Sequence, residues 1–302
     1  MVGNDDRFHL VTQQVEAIGI PVCYTSTKMR IPRRLRAARL ICHTRGCMRP
    51  TDHLRRVLAL VACLVLTPSR PFAQEARTAT TETFHYRVEW RFIEAGRAKL
   101  VYTQPESGGL ESIVDLESTG LVSRLFKVKD VYNLTADRSF CATAVLINAQ
   151  EGKRRRETRI TFDGNARKAQ YVERDLAKNN QVLNTKEIDT AACVYDVIGG
   201  LAKLRGIGLE PGQNTTLPIS DGKKFVQARV EAQEREEIKT PAGTFKAIRL
   251  EATLFNNVLY SRSGRLFVWL SDDDRRIPVQ IQARLRIHIG TITLQLSKEE
   301  LS

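Results

Sequence analysis

From residue 74 onward the chain is written almost wholly in period two. Phe84, Tyr86, Val88, Trp90 and Phe92 alternate with His85, Arg87, Glu89 and Arg91, which sets an apolar face against a charged one and predicts a strand. Gly96 marks a turn, and Ala98, Leu100 and Tyr102 carry the returning strand. Near the other end, Val279, Ile281, Ala283, Leu285, Ile287 and Ile289 are apolar at every odd position. After Gly290 the phase changes, because Ile292, Leu294 and Leu296 are apolar at even positions. A one-residue slip turns an apolar set outward, so a glycine kink or β-bulge is expected at Gly290, with a tight hairpin as the rival reading.

Further strands are expected near 111–118, 128–137, 143–151, 154–163, 167–175, 214–219, 223–234, 244–256 and 263–271. Turn residues separate them at Gly152, Asp163-Gly164-Asn165, Asn179-Asn180, Asp221-Gly222 and Thr240-Pro241-Ala242-Gly243. One segment breaks the pattern: Val197, Ile198, Leu201 and Leu204 fall on one helical face and predict a short helix at 194–204. The fold class is therefore mainly β: a single antiparallel domain over 80–298, an open or incomplete barrel or a sandwich, with one helix.

The N-terminal quarter has a different character. Arg49, Arg55 and Arg56 precede the ten-residue apolar run Val57–Leu66, and Pro68 and Ala73 follow, which is the layout of a signal peptide over 48–73. The run is too short to cross a bilayer, which takes about 20 apolar residues. Residues 1–47 are then either the result of a start assigned too far upstream, with Met48 as the true first residue, or a disordered basic leader. Export to the periplasm is expected. Leu60-Val61-Ala62-Cys63 also resembles a lipobox, which makes a membrane tether through Cys63 the alternative.

This reading changes what the charge means. The net charge is +13, but residues 1–73 hold 12 bases and 4 acids, whereas residues 74–302 hold 35 bases and 30 acids. The excess sits mostly in the leader, and no aromatics are interleaved with the bases of Lys153–Arg159, the strongest charge run of the body, so nucleic acid is not the expected partner. Four of the six cysteines also precede residue 74. Cys141 and Cys193 remain, as one disulfide in an oxidising compartment or as two buried thiols.

Several stretches resemble an exported bacterial family known only as domain of unknown function 3108. They are Tyr86–Gly96, the aspartate-led segment Tyr195–Arg205, Leu209-Glu210-Pro211-Gly212, Lys239–Phe245 and Val268–Val279. The resemblance implies an exported β-rich envelope protein without an established activity. It supplies no catalytic residues. Gly199-Gly200 and the arginine-rich N-terminus depart from the family pattern.

No catalytic constellation is recognised. His85 and His288 are the histidines of the body, both in polar strand phases, so no poised base, metal site or cofactor site is expected. Asp272-Asp273-Asp274 reads as a turn rather than a calcium site, given Arg275 and Arg276 beside it. Arg154, Arg155 and Arg156 form a candidate anion patch, or a charged strand edge. Trp90, Phe267 and Trp269 are the candidate ligand-facing or core aromatics, because Leu266–Leu270 is apolar in both strand phases. The function expected is binding of a lipid or other amphiphile of the envelope. An envelope protein is the alternative partner, and an outer-membrane barrel or an enzyme are further readings.

Overall fold

The computed structural model describes residues 79–285 and 290–302. The readings made for residues 1–47, the signal peptide 48–73, Cys63 and residues 286–289 lie outside the described residues. The first half of the body comprises β1 (Thr80–Trp90), β2 (Ile93–Gln104), β3 (Leu110–Ser118), β4 (Val128–Ala136) and β5 (Ala142–Glu151). It continues with β6 (Arg154–Asp163), β7 (Lys168–Asp175) and β8 (Gln181–Asp189), and a short helix α1 (Gly120–Leu125) joins β3 to β4. Helix α2 (Val197–Ile207) leads into β9 (Asn214–Ser220), β10 (Phe225–Thr240) and β11 (Gly243–Ala252). The chain closes with β12 (Gly264–Ser271), β13 (Pro278–Leu285) and β14 (Thr291–Leu301).

These strands form one antiparallel sheet rather than the two of a sandwich. Strands consecutive in sequence pair throughout except β8 with β9, β1 also pairs with β14, and β8 and β9 are left as the two free edges. The sheet is an unclosed barrel, in which α2 lies against both halves. Residues paired across an antiparallel ladder share a face. Phe84, Leu100, Val114, Tyr132, Ile147 and Thr158 are linked this way and share the inner face of β1–β6. Leu217, Ala228, Leu250, Val268 and Ile281 belong to the inner core of the other half. Leu201 packs against both cores.

The ends of α2 are set chemically. Asp196 caps it, its carboxylate accepting from the backbone N–H of Ile198 (3.0 Å) and Gly199 (2.7 Å), and Gly208 ends it with φ +72. The helix begins later than the expected 194 because Tyr195 is extended. Its N–H donates to the Pro218 carbonyl and its own carbonyl accepts from Ser220, so it covers part of the free edge of β9. Gly199 and Gly200 permit close packing. A Cβ on Gly199 would lie 2.7 Å from Asp196 Oδ1, and one on Gly200 would lie 2.7 Å from Ile219 Cδ1.

Three expectations are corrected. Gly290 does not kink a continuous strand: β13 ends at Leu285, and β14 returns antiparallel with Ala283 opposite Ile292. The change of apolar phase is the register of this hairpin, in which odd positions of one strand pair with even positions of the other. The rival hairpin reading is the one found. Strand β8 and helix α1 were not expected at all. β8 is mostly exposed and carries no alternation, because it is a sheet edge, and α1 buries none of its residues.

The turn expected at Gly96, and the strand expected to run on to Phe92, are also corrected: Arg91 and Phe92 form the β1–β2 turn, and Gly96 lies within β2, where β1 and β2 shift register. A Cβ there would lie 2.3 Å from the Glu117 carbonyl oxygen, a backbone atom that cannot rotate away. Gly96→Ala is expected to cost about 1–3 kcal/mol, the usual range for overpacking, and urea denaturation checks it.

Candidate ligand-binding site

The inner face of β11 and β12, the C-terminal half of α2 and the β12–β13 turn enclose a half-open cavity of ≈160 Å³. Leu204, Leu209, Ile248, Leu250 and Leu270 make an apolar wall, and Asp272, Asp273, Asp274 and Arg276 line the same cavity from the turn. The turn is held from within. Asp273 accepts from Ser271 Oγ (2.7 Å) and from the N–H of Arg275 and Arg276. Asp272 pairs with Arg235 at 2.9 Å, and Arg235 also pairs with Glu210. Among the described residues, no three His, Cys, Asp or Glu side chains gather as a metal site.

Arg205 fixes this end of α2. Its guanidinium donates to both oxygens of Glu82 (2.7 and 3.0 Å) and to the carbonyls of Arg275 and Arg276. It also lies over the rings of Phe84 (5.2 Å) and Tyr102 (5.8 Å). Burial alone would raise the Glu82 carboxyl, but Arg205 and Arg275 outweigh it and hold it below the usual carboxylate range. At the other end of α2, Tyr132 donates to Asp196 Oδ2 at 2.6 Å, and burial raises both groups. Cys193 is joined to Cys141 by a disulfide, which ties the approach to α2 to the start of β5.

The sequence candidates fall in several places. Phe267 and Trp269 are buried, but they share a face with Arg249, opposite to the one on which Leu250, Val268 and Leu270 lie. Both belong to the buried core, the second of the two readings made for them; Arg249, Arg265 and Arg284 lie over Phe267, and Trp269 Nε1 is 3.4 Å from Glu236. Thus both faces of β12 are apolar, as expected, but its cavity-lining residue is Leu270. Trp90 is half-buried under Arg91 and is not in the cavity wall. Arg154, Arg155 and Arg156 do not make one patch. Arg154 and Arg155 are exposed on opposite strand phases, whereas Arg156 is ion-paired at 2.8 Å with the buried Glu173.

That pair belongs to a cluster that sequence reasoning missed. The β9–β10 turn inserts beneath β6 and β7. Gly222, at φ +80, presses on Ile160, while Lys223 lies 4.2 Å over the Tyr171 ring and 4.0 Å from Glu173. The turn thereby joins the two halves although β8 and β9 do not pair. Nearby on the same face, burial pushes the Asp130 carboxyl up to about 6, against the Gln150 N–H. Burial and then Asp130 push Glu151 up to about 7, against Arg156 and Arg154. The signal lay in the inner phase of β4–β7, where acids stand in positions that alternation assigns to the core.

With this geometry established, the molecule is defined as an unclosed antiparallel barrel with an internal helix and a small half-apolar cavity. The family model described as "Protein of unknown function (DUF3108)" matches residues 85–297, and the chain belongs to that family. No curated protein matches it. Among solved structures it is similar to a β-barrel-like DUF1849 protein from Brucella abortus, with 8% identity over 75% of this chain and 99% of that one and a TM-score of 0.47. It is also similar to a DUF1089 family protein from Pseudomonas aeruginosa, with 12% identity over 63% and 90% and a TM-score of 0.30. A protein of YmcC-like fold from Bacteroides fragilis, assigned as exported, gives 11% identity over 74% and 96% and a TM-score of 0.27. At these scores the likenesses carry no argument about activity.

Two predictions follow from the anchors. The Cys141–Cys193 bridge spans 52 residues, so a Cys141→Ser, Cys193→Ser protein is expected to lose about 3–4 kcal/mol in urea denaturation. Asp130 and Glu151 hold protons in the folded state that the unfolded chain releases from about pH 4 upward, so their presence makes stability fall as pH rises towards 7. Asp130→Asn with Glu151→Gln is expected to flatten that fall, seen as a smaller drop in Tm between about pH 4.5 and about pH 8.

Proposed function

We propose that the chain is an exported envelope protein that binds an apolar or amphiphilic molecule in the cavity between α2 and β11–β12. In this reading residues 48–73 are a removed leader, residues 80–298 are the working body, and the periplasm is its compartment. The observation that carries the proposal is the cavity's division into five leucine and isoleucine side chains on one side and a charged turn on the other. Ligand sites commonly combine an apolar lining with a few polar groups that orient the ligand. A cavity of about 150 Å³ holds a benzene-sized molecule, so the site as it stands suits one ring or the end of an acyl chain, with a polar head left at Arg276 and the acidic turn. The disulfide supports an oxidising compartment.

The test is lipid mass spectrometry on protein isolated from its own cells, together with titration by a fluorescent fatty acid. A stoichiometric ligand or saturable binding is expected, and Leu209→Arg, which puts a charge in the apolar wall, is expected to weaken binding by about tenfold or more. Extracts free of lipid together with no saturable binding would reject carriage and leave the protein-interaction reading.

A further inference from the structure

The end of the sheet that carries the β1–β2 turn has a surface the cavity does not explain. Phe92 is 95% exposed, Leu125 79%, Leu121 64% and Ile93 57%. They are neighbours: Thr119 N–H donates to the Ala95 carbonyl, and α1 lies against β2. The rim continues through Gly152, whose N–H donates to the Lys127 carbonyl and whose Cβ position lies 3.2 Å from the Phe126 ring. Exposed bases surround the apolar residues, namely Arg91, Arg124, Lys127, Lys153 and Arg154, against the exposed acids Glu94 and Glu117.

Phe92 is also held in an unfavourable conformation. Arg91 and Phe92 form the turn with φ +50 and +69, the left-handed region that suits Asn-Gly and penalises a bulky side chain. A phenylalanine that is strained and almost bare contributes little to the fold. Exposed apolar side chains ringed by bases match the interface of an anionic bilayer, where the rings enter the acyl boundary and the bases meet phosphate headgroups.

We infer that this end of the molecule docks on an anionic lipid surface through Phe92, Ile93, Leu121 and Leu125. The inference is separate from the cavity, whose wall comes from α2, β11 and β12. The test is flotation of protein isolated from its own cells with phosphatidylglycerol vesicles and with phosphatidylcholine vesicles. Wild type is expected to float with the first, to do so less at high salt, and to stay behind with the second. Phe92→Gly is expected to weaken partitioning by about fivefold or more while raising Tm, because it removes both the inserted ring and the turn strain. Arg124→Glu with Lys127→Glu is expected to abolish the preference for phosphatidylglycerol, whereas Val182→Ser on the exposed β8 edge leaves it intact. The inference is overturned if wild type ignores phosphatidylglycerol, or if Phe92→Gly floats like wild type. It is equally overturned if wild type ignores vesicles but forms dimers that Phe92→Gly separates, since the face is then a contact between copies.

Discussion

A helix enclosed by sheet must find partners for groups that water would otherwise serve, and the position of α2 follows from how that demand is met. Asp196 satisfies the first N–H groups and is itself met by Tyr132 from β4. Tyr102 from β2 donates to the Ile198 carbonyl, and Arg205 reaches Glu82 and the β12–β13 turn. The helix thus bonds to the first half of the sheet at both ends and to the second at its C-terminal end. Without it, the two apolar inner faces would have only each other to cover them. The unclosed sheet, the small cavity and the seam between β8 and β9 all depend on this occupant.

Much of the architecture was legible because half-buried strands have a period that composition cannot imitate. β3, β5, β6 and β12 lie where alternation and turn residues put them, within a residue or two. The two elements that were missed share one cause. β8 has exposed residues on both faces and α1 buries none, so neither carries the contrast between faces on which the reading relies. The Asn179-Asn180 pair, both at positive φ, was the available sign that a strand follows β7.

The site was less legible than the fold. Alternation identified β12 as apolar on both sides, but large aromatics drew attention to Phe267 and Trp269 when Leu270 lines the cavity. Which phase faces inward depends on pairing across the whole sheet and is not contained in one strand. Arg156 looked like part of an exposed run, yet its strand phase places it beside Glu173, on the inside. The acids of β4–β7 are instructive for the same reason: a charge in a core phase is a local contradiction that only distant partners such as Lys223 resolve.

The pairing of β1 with β14 bears on how the molecule is made. Thr81 and Ser302 exchange two backbone hydrogen bonds, so β1, the first of the described strands, finds its second neighbour only when β14 has been made. Until then β1 presents an open margin of donors and acceptors that any extended polypeptide can borrow. The sheet is therefore completed only once both of its halves exist. The two halves are thus joined late, and the interval before β14 is in place is the one in which β1 is most open to borrowing by another chain.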